Sequence, residues 1–368
     1  MNPVSFVVPV FGQWHLTATC LEMALKGTAN YPLDEIVIVY TKTPPWETDE
    51  TPEQLGKITL EGYANYPPEK FHFAINEENS GPTLAFNQAI SLARPTNDVV
   101  MCNNDIFLAE NWLAPLIQLA YEPRHAEMVT IVGPYLAPEL CLDTIISAEF
   151  RRQYFEKGRL LLIGCCTIQD IKQKLDTLYE GNFLAFGRDF VNRHRGHIYD
   201  QVHGSCALIK RSAIQEGLGF FDPAFAYLLP EFQGEGKHIA GRGSDDIDLW
   251  IRNTNANKFT LTCFESFGHH VINGSSQQRE NQYSIVCDPY IHNGNRLIQK
   301  WEKTNESILY PFEIIGKKVP HYKFRPRQTP LPPTANVKQV NWGLGEQKGF
   351  DYMLNYLGGV DRTDVFPL

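Results

Sequence analysis

Asp98-Val99-Val100-Met101-Cys102-Asn103-Asn104-Asp105 is an apolar run that ends abruptly in three polar side chains. The apolar part has the length and composition of a buried strand. At a strand end over a crevice, a carboxylate flanked by two amides can hold a hard divalent cation through oxygen. An ordinary Asx turn between strand and helix accounts for the same triplet, so its neighbours have to decide.

Upstream, residues 4–10 form a second continuous apolar run, closing on Pro9-Val10-Phe11-Gly12. Residues 16–25 have helical spacing, and Gly27 ends them. Residues 35–40 read as a buried strand and 71–75 as a further strand, with a loop over 41–56 rich in Pro, Thr and acids between them. Residues 81–93 read as a helix with Asn79 or Ser80 as cap, Pro82 in the first turn and a stripe of Phe86, Ala89, Ile90 and Ala93. Downstream, 112–121 predicts a helix and 128–132 a strand. Strands and helices alternating at these lengths imply a mostly parallel sheet covered on both faces. Such sheets bind ligands beyond the carboxyl ends of their strands. The two unusual ends, Pro9-Val10-Phe11 and Asn103-Asn104-Asp105, should therefore open onto one crevice.

Residues 137–203 are largely helical and polar, with helices expected over 147–155, 168–179 and 183–192. This stretch is expected to form a helical insert. A strand follows over 202–209, then a turn-rich segment over 217–243, a helix over 244–252, a strand over 259–264 and a helix over 293–302. Beyond Lys317 the chain turns Pro-rich and locally basic, as a linker or surface arm would. The expected organisation is one domain over 1–302, with a first half to about 134, the insert over about 137–203 and a second half over about 203–302. Residues 303–368 would be a C-terminal extension.

Composition narrows the function. Of 368 residues 43% are hydrophobic and 20% charged, enough for a sizeable core and too few charges for wholesale disorder. A net charge of -9 does not suit a nucleic-acid partner. None of the eight cysteines shows the two-residue gap of a zinc knuckle or redox motif, which suits buried reduced thiols. The residues ahead of the first strand show no basic n-region or cleavage site, so no signal peptide is expected, and no apolar run approaches the ~20 residues of a membrane span. A cytoplasmic protein without a transmembrane segment is expected.

Two later stretches carry chemistry. In Gly243-Ser244-Asp245-Asp246-Ile247-Asp248-Leu249-Trp250, Ser244 can cap a helix and acids suit its first turn. Three acids in four positions exceed what capping needs, and repulsion between them can raise one pKa. Such a carboxylate is a natural general base for a hydroxyl nucleophile. In Phe267-Gly268-His269-His270-Val271-Ile272-Asn273-Gly274-Ser275-Ser276, a neutral imidazole could serve a metal. Capping and surface polarity remain open for both stretches.

In this order the pieces resemble the family 2 inverting glycosyltransferases of the GT-A fold. Residues 4–11 look like that family's first, nucleotide-carrying strand. Asn79-Ser80-Gly81-Pro82-Thr83-Leu84-Ala85-Phe86-Asn87 is similar to its Asn-x-Gly…Asn segment, and Asn103-Asn104-Asp105 followed by Trp112-Leu113 to a variant of its Asp-x-Asp metal motif. His203-Gly204-Ser205-Cys206-Ala207-Leu208-Ile209 with Gly219-Phe220-Phe221-Asp222 resembles its acceptor-side elements. Asp245-Asp246-Ile247-Asp248-Leu249 resembles Glu-Asp-x-Asp-Leu, and His270 with Gly274 and Ser275 its late His…Gly…Ser loop. Asn293 through Trp301 is similar to a Lys-Trp element that often follows. The resemblance spans 4 to about 302 and rests on collinear order. The family's acid after the second strand is missing, since Tyr40, Thr41 and Lys42 stand there; residues 137–203 match no part of it.

The resemblance implies a GT-A α/β fold and a UDP-, dTDP- or GDP-linked sugar donor. It implies donor contacts at Pro9, Val10, Phe11, Asn79, Asn87, Asn103 and Asn104, and acceptor-side roles for Gly204, Ser205 and Asp222. Asp105 with His270 or His269 would hold Mn²⁺ or Mg²⁺. Asp246, beside Asp245, would be the general base that activates a hydroxyl of a glycan or other acceptor. A non-catalytic sugar-binding relative and a nucleotidyltransferase are the alternatives. The latter usually carries a Gly-rich loop with a basic residue after its first strand, which Pro9-Val10-Phe11-Gly12-Gln13-Trp14 lacks. No Gly-x-Gly-x-x-Gly follows the first strand, which sets a Rossmann dehydrogenase aside.

Overall fold

The protein is described here by a computed structural model. It describes residues 3–28, 31–41, 68–76, 81–123, 126–137, 154, 158, 162, 164–165, 167–199, 204–222, 225, 245–256, 258–271 and 324–326.

The first apolar run is β1 (Val4–Val10), followed by α1 (Trp14–Lys26) and β2 (Glu35–Thr41). Every β2 residue is buried, as a strand covered on both faces requires. Then come β3 (Phe71–Asn76), α2 (Gly81–Leu92), β4 (Asp98–Cys102), β5 (Ile106–Leu108), α3 (Leu113–Ala120) and β6 (Val129–Ala137). The insert contributes α4 (Ile168–Leu178), α5 (Phe183–Arg193) and β7 (His197–Tyr199). Thr167 and Asn182 cap α4 and α5, accepting hydrogen bonds from the backbone N–H of Asp170 and Ala185. After β8 (Cys206–Ile209) and a short helical turn over residues 211–218 come α6 (Asp245–Asn255), β9 (Phe259–His270) and β10 (Phe324–Pro326).

One sheet runs in the order β10-β7-β9-β6-β8-β4-β1-β2-β3, with β5 paired to β9. Strands β4, β1, β2 and β3 are mutually parallel, as is the β6–β9 pair. Strand β8 runs antiparallel to both β4 and β6. The longest ladders are the parallel ones, so the sheet is mostly parallel, mixed at β8 and at the far edge.

Three apolar clusters clothe it. Val4, Phe6, Val8 and Val10 pack with α1 and α3 residues such as Leu21 and Leu116. Val7, Val37, Val39 and Met101, alternating with them, pack with Phe86 and Ile90 of α2 and Leu249 of α6. Each such buried side chain contributes about 1.5–3 kcal/mol. The third cluster joins Phe107, Tyr135, Phe264 and Phe267 of the sheet to Ile171, Leu175, Phe183 and Phe190 of the insert. Lys172 of α4 also reaches Glu22 of α1 at 2.7 Å. The described part of the insert is thus built into the main body, beside β9.

Strand β9 runs six residues beyond the expected 264, so His269 and His270 lie inside a strand and not in a loop after it. The register against β6 jumps from Pro134↔Cys263 to Tyr135↔Phe267, and this bulge lets the strand continue past the expected stop. Strands β5 and β7, three residues each, were not expected; such short runs carry no periodicity of their own. The helices expected over 147–155 and 293–302 fall outside the described residues, apart from Tyr154. Of the C-terminal extension, Phe324–Pro326 pairs with β7. Cys20, Cys102, Cys165, Cys206 and Cys263 carry free thiols. No helix among the described residues is long and apolar enough to cross a membrane.

Candidate active site

Strands β1 and β4 are neighbours with Val7 opposite Met101, so their polar ends emerge side by side. Gly12 and Gln13 take positive φ values of 66° and 57°, which turns the chain sharply from β1 into α1. The Asn104 amide donates to the Gly12 carbonyl at 3.3 Å and to Thr17 Oγ1 at 2.9 Å. Asn104 thereby ties the two strand ends together from a buried position. Asn103 is anchored through its backbone N–H to the Ser205 carbonyl at 2.8 Å. Pro9 and Phe11 are half-buried and Val10 is buried at the same edge. Asn79 lies outside the described residues.

Asp105 immediately precedes the short β5, which lies antiparallel on β9 with Ile106 opposite His270 and Phe107 opposite His269. This register puts Asp105 Oδ1 3.2 Å from His270 Nε2. Both residues are buried, and the Val271 N–H donates to the Asp105 carbonyl at 3.0 Å. Side chains alternate along a strand, so His269 faces the opposite way. It is enclosed by Phe107, Tyr154 and Tyr179, with its Nδ1 2.7 Å from the Tyr179 hydroxyl. Burial, with the neighbouring His270 adding to it, pushes the His269 pKa down to about 3, so its ring stays neutral. Of the two histidines expected as metal ligands, only His270 is turned to Asp105.

The three acids of α6 go three ways. Asp245 accepts from Thr83 Oγ1, in the first turn of α2, at 2.8 Å. Burial and the adjacent Asp246 raise its pKa to about 6. Asp246 Oδ2 accepts from the Gly204 N–H at 3.3 Å, at the start of the β8 segment. Asp248 is fully buried and takes the guanidinium of Arg252 at 3.0 Å. Arg252 in turn donates to the carbonyls of Leu218 and Phe220. The first two acids are half-buried, whereas the third is wholly enclosed and paired within the fold.

The segment that ends in Asp222 is held from a second direction. The Asn87 amide donates to the Phe221 carbonyl at 2.8 Å and accepts from the Phe221 N–H at 2.9 Å. Asn87, expected among the donor contacts, has both ends of its buried amide engaged by Phe221. Ser205 is buried and Asp222 half-buried nearby in sequence to the elements so fixed. Thr83, Arg252, Tyr154 and Tyr179 were not singled out from the sequence. Only Arg252 carried a signal, its spacing of four from Asp248; the others act across long sequence separations.

The fold is that of an α/β protein in which the parallel strands β1 and β4 end side by side, tied together by Asn104. The sequence model of Glycosyl transferase family 2 matches residues 5–218, more than half of the chain, and the chain belongs to that family. Two solved structures are similar to it. One is the mannosyltransferase PcManGT from Pyrobaculum calidifontis in complex with GDP-Man and Mn²⁺, at 16% identity and a TM-score of 0.46, covering 87% of this chain and 66% of that one. The other is GalNAc-T7 with UDP, GalNAc and Mn²⁺, at 14% identity and a TM-score of 0.48, covering 82% of this chain and 48% of that one. The chain thus spans less than two thirds of either. No curated protein sequence matches it significantly.

Proposed function

We propose that this family 2 protein is an inverting glycosyltransferase that moves a hexosyl or deoxyhexosyl group from a nucleotide-diphospho-sugar to a hydroxyl of a glycan or other acceptor, with Asp246 as general base. The observation that carries this reading is the placement of Asp246: a half-buried carboxylate at the start of α6, held by the Gly204 N–H. Its neighbours Asp245 and Asp248 are committed to Thr83 and Arg252. In the reaction, Asp246 takes the proton of the acceptor hydroxyl as that oxygen bonds to the anomeric carbon. The bond from that carbon to the diphosphate breaks on the opposite side, the nucleoside diphosphate leaves with the electron pair, and configuration inverts. General-base assistance is worth roughly 10²–10⁴-fold in rate.

The residues present suit a divalent cation. Asp105 offers a hard oxygen and His270 an imidazole nitrogen, with their atoms converging at 3.2 Å. No group of three such ligands occurs among the described residues. The other coordination positions would thus fall to diphosphate oxygens and water. Mn²⁺ or Mg²⁺ held there would neutralise charge on the departing diphosphate. The polar ends of β1 and β4, where Asn104 braces the Gly12 turn, are suited to receive the nucleotide.

The test is sugar transfer, or slow donor hydrolysis, by Asp246→Asn at matched folding. Turnover is expected to fall by orders of magnitude with donor affinity little changed. Near-normal transfer by this variant, with collapse in Asp245→Asn, would move the base by one residue. For the metal, Asp105→Ala is expected to lose Mn²⁺-dependent nucleoside diphosphate binding in calorimetry while keeping its fold; unchanged binding would remove the assignment.

A further inference from the structure

We propose that Tyr154 and Tyr179 of the insert are positioning residues, whose hydroxyls lock the end of β9 so that His270 meets Asp105 in the geometry a cation needs. The inference rests on the metal assignment above and gives the insert a role that the family resemblance does not supply.

The two hydroxyls grip β9 on either side of His270. Tyr154 Oη donates to the Val271 carbonyl at 2.7 Å. The N–H of that same Val271 donates to the Asp105 carbonyl at 3.0 Å, so a single residue links Tyr154 to the Asp105 backbone. Tyr179 Oη lies 2.7 Å from His269 Nδ1. The other ring nitrogen of His269 is buried without a hydrogen-bond partner among the described residues, so Tyr179 is the polar contact that fixes the ring. His269 is also held between rings: nearly parallel to Phe107 at 6.3 Å and edge-on to Tyr154 at 4.9 Å and Tyr179 at 5.6 Å. Phe107 is its cross-strand partner, one residue along from Ile106 opposite His270. Whatever fixes His269 and Val271 therefore fixes His270 between them, and fixes the β5 strand that follows Asp105.

Packing alone does not call for tyrosine here. Both rings are buried to within 1% of full enclosure. A hydroxyl taken into such a setting costs free energy unless it is hydrogen-bonded, and phenylalanine would fill the same volume without that cost. The hydroxyls are used on the two residues flanking His270. Groups that orient a ligand from behind are typically worth about 10–100-fold in metal affinity.

The experiment uses the full chain with Tyr154→Phe, Tyr179→Phe and the double substitution. Mn²⁺ is titrated by calorimetry into protein mixed with whichever of UDP, GDP or dTDP the wild type binds. Nucleotide binding in EDTA and thermal unfolding are measured in parallel, at a temperature where each variant is folded by circular dichroism. The double variant is expected to need about 10–100-fold more Mn²⁺, with metal-free nucleotide binding unchanged. A lowered melting temperature with an unchanged Mn²⁺ midpoint would reduce the tyrosines to packing and overturn the proposal. If the double variant does not fold, Tyr154→Phe alone decides by the same comparison. Asp105→Ala separates the two layers. If it binds Mn²⁺ like wild type, or wild type shows no Mn²⁺-dependent binding at all, the metal assignment fails and the proposal with it. If Asp105→Ala loses binding and the tyrosine variants keep it, only the tyrosine proposal fails.

Discussion

Gly204 lies against Asp246 so closely that a Cβ at Gly204 would stand 2.1 Å from the Asp246 Cβ and 2.8 Å from its Oδ2. The Gly204 N–H is also a hydrogen-bond donor to that Oδ2. The glycine both makes room for the proposed base and aims it. The contacting atoms include the Cβ of a residue on a helix, so the clash cannot be relieved by rotating a side-chain tip. Gly204→Ala should displace Asp246 and lower turnover by at least about 10²-fold, the lower end of what a general base supplies. Transfer assays at matched folding check this, and donor affinity should change little. Wild-type turnover in Gly204→Ala would mean that Asp246 can move without consequence, which a base cannot.

Asp245 makes stability depend on pH in a stated direction. Its pKa is raised from the usual carboxylate range to about 6 by burial and by Asp246. A raised pKa means that the folded state holds the proton more tightly than the unfolded chain. The stability linked to this proton is fully present below about pH 4, near the unfolded value, and is lost as pH rises through about 6. Asp245→Asn removes the titration. Melting temperatures of wild type and Asp245→Asn should therefore diverge between pH 4 and pH 7, with the wild type losing ground as pH rises. Parallel curves across that window would show that Asp245 titrates in the ordinary range.

Asp248 should behave unlike its two neighbours. With Arg252 it forms an ion pair, both side chains almost wholly buried, and Arg252 carries the carbonyls of Leu218 and Phe220. Removing one partner leaves a buried charge uncompensated, at about 3–5 kcal/mol. Asp248→Ala is therefore expected to lose about that much in urea unfolding. Where it remains folded, turnover should fall through displacement of the 218–222 segment. A stable Asp248→Ala with low turnover would instead put Asp248 in the chemistry.

What the sequence could and could not disclose follows from the range of each interaction. Strand β4 was legible to the residue because an apolar run bounded by Asp98 and Asn103 is a local pattern. The collinear order of the motifs identified the family correctly, since order survives when single motifs are weak. The facing of His269 and His270 was hidden because it depends on β9 continuing through a bulge set by β6. Asn87 was named through the family resemblance, and its tie to Phe221 was not legible because that partner lies 134 positions away. Tyr154 and Tyr179 were hidden for the same reason, being ordinary members of a helical pattern whose partners come from another element.

The bidentate grip of Asn87 on Phe221 yields the last prediction. Among the described residues, Asn87 is the α2 side chain that satisfies both backbone groups of Phe221, and it does so at 1% exposure. Two substitutions separate its possible roles. Asn87→Leu has similar volume but leaves the Phe221 N–H and carbonyl unpaired, at about 1–3 kcal/mol each if they stay buried. Asn87→Asp keeps the acceptor for the N–H but turns an oxygen toward the Phe221 carbonyl, which needs a donor. A residue that contacts the donor would show its loss mainly as weaker donor binding. A residue that fixes the acceptor segment should leave donor binding near normal, lower stability by a few kcal/mol, and raise the acceptor KM or lower turnover. The expected result is the second pattern in both variants, read from donor calorimetry, urea unfolding and acceptor-dependent kinetics on the same preparations. Loss of donor binding in Asn87→Asp, with unfolding and acceptor KM unchanged, would return Asn87 to the donor side.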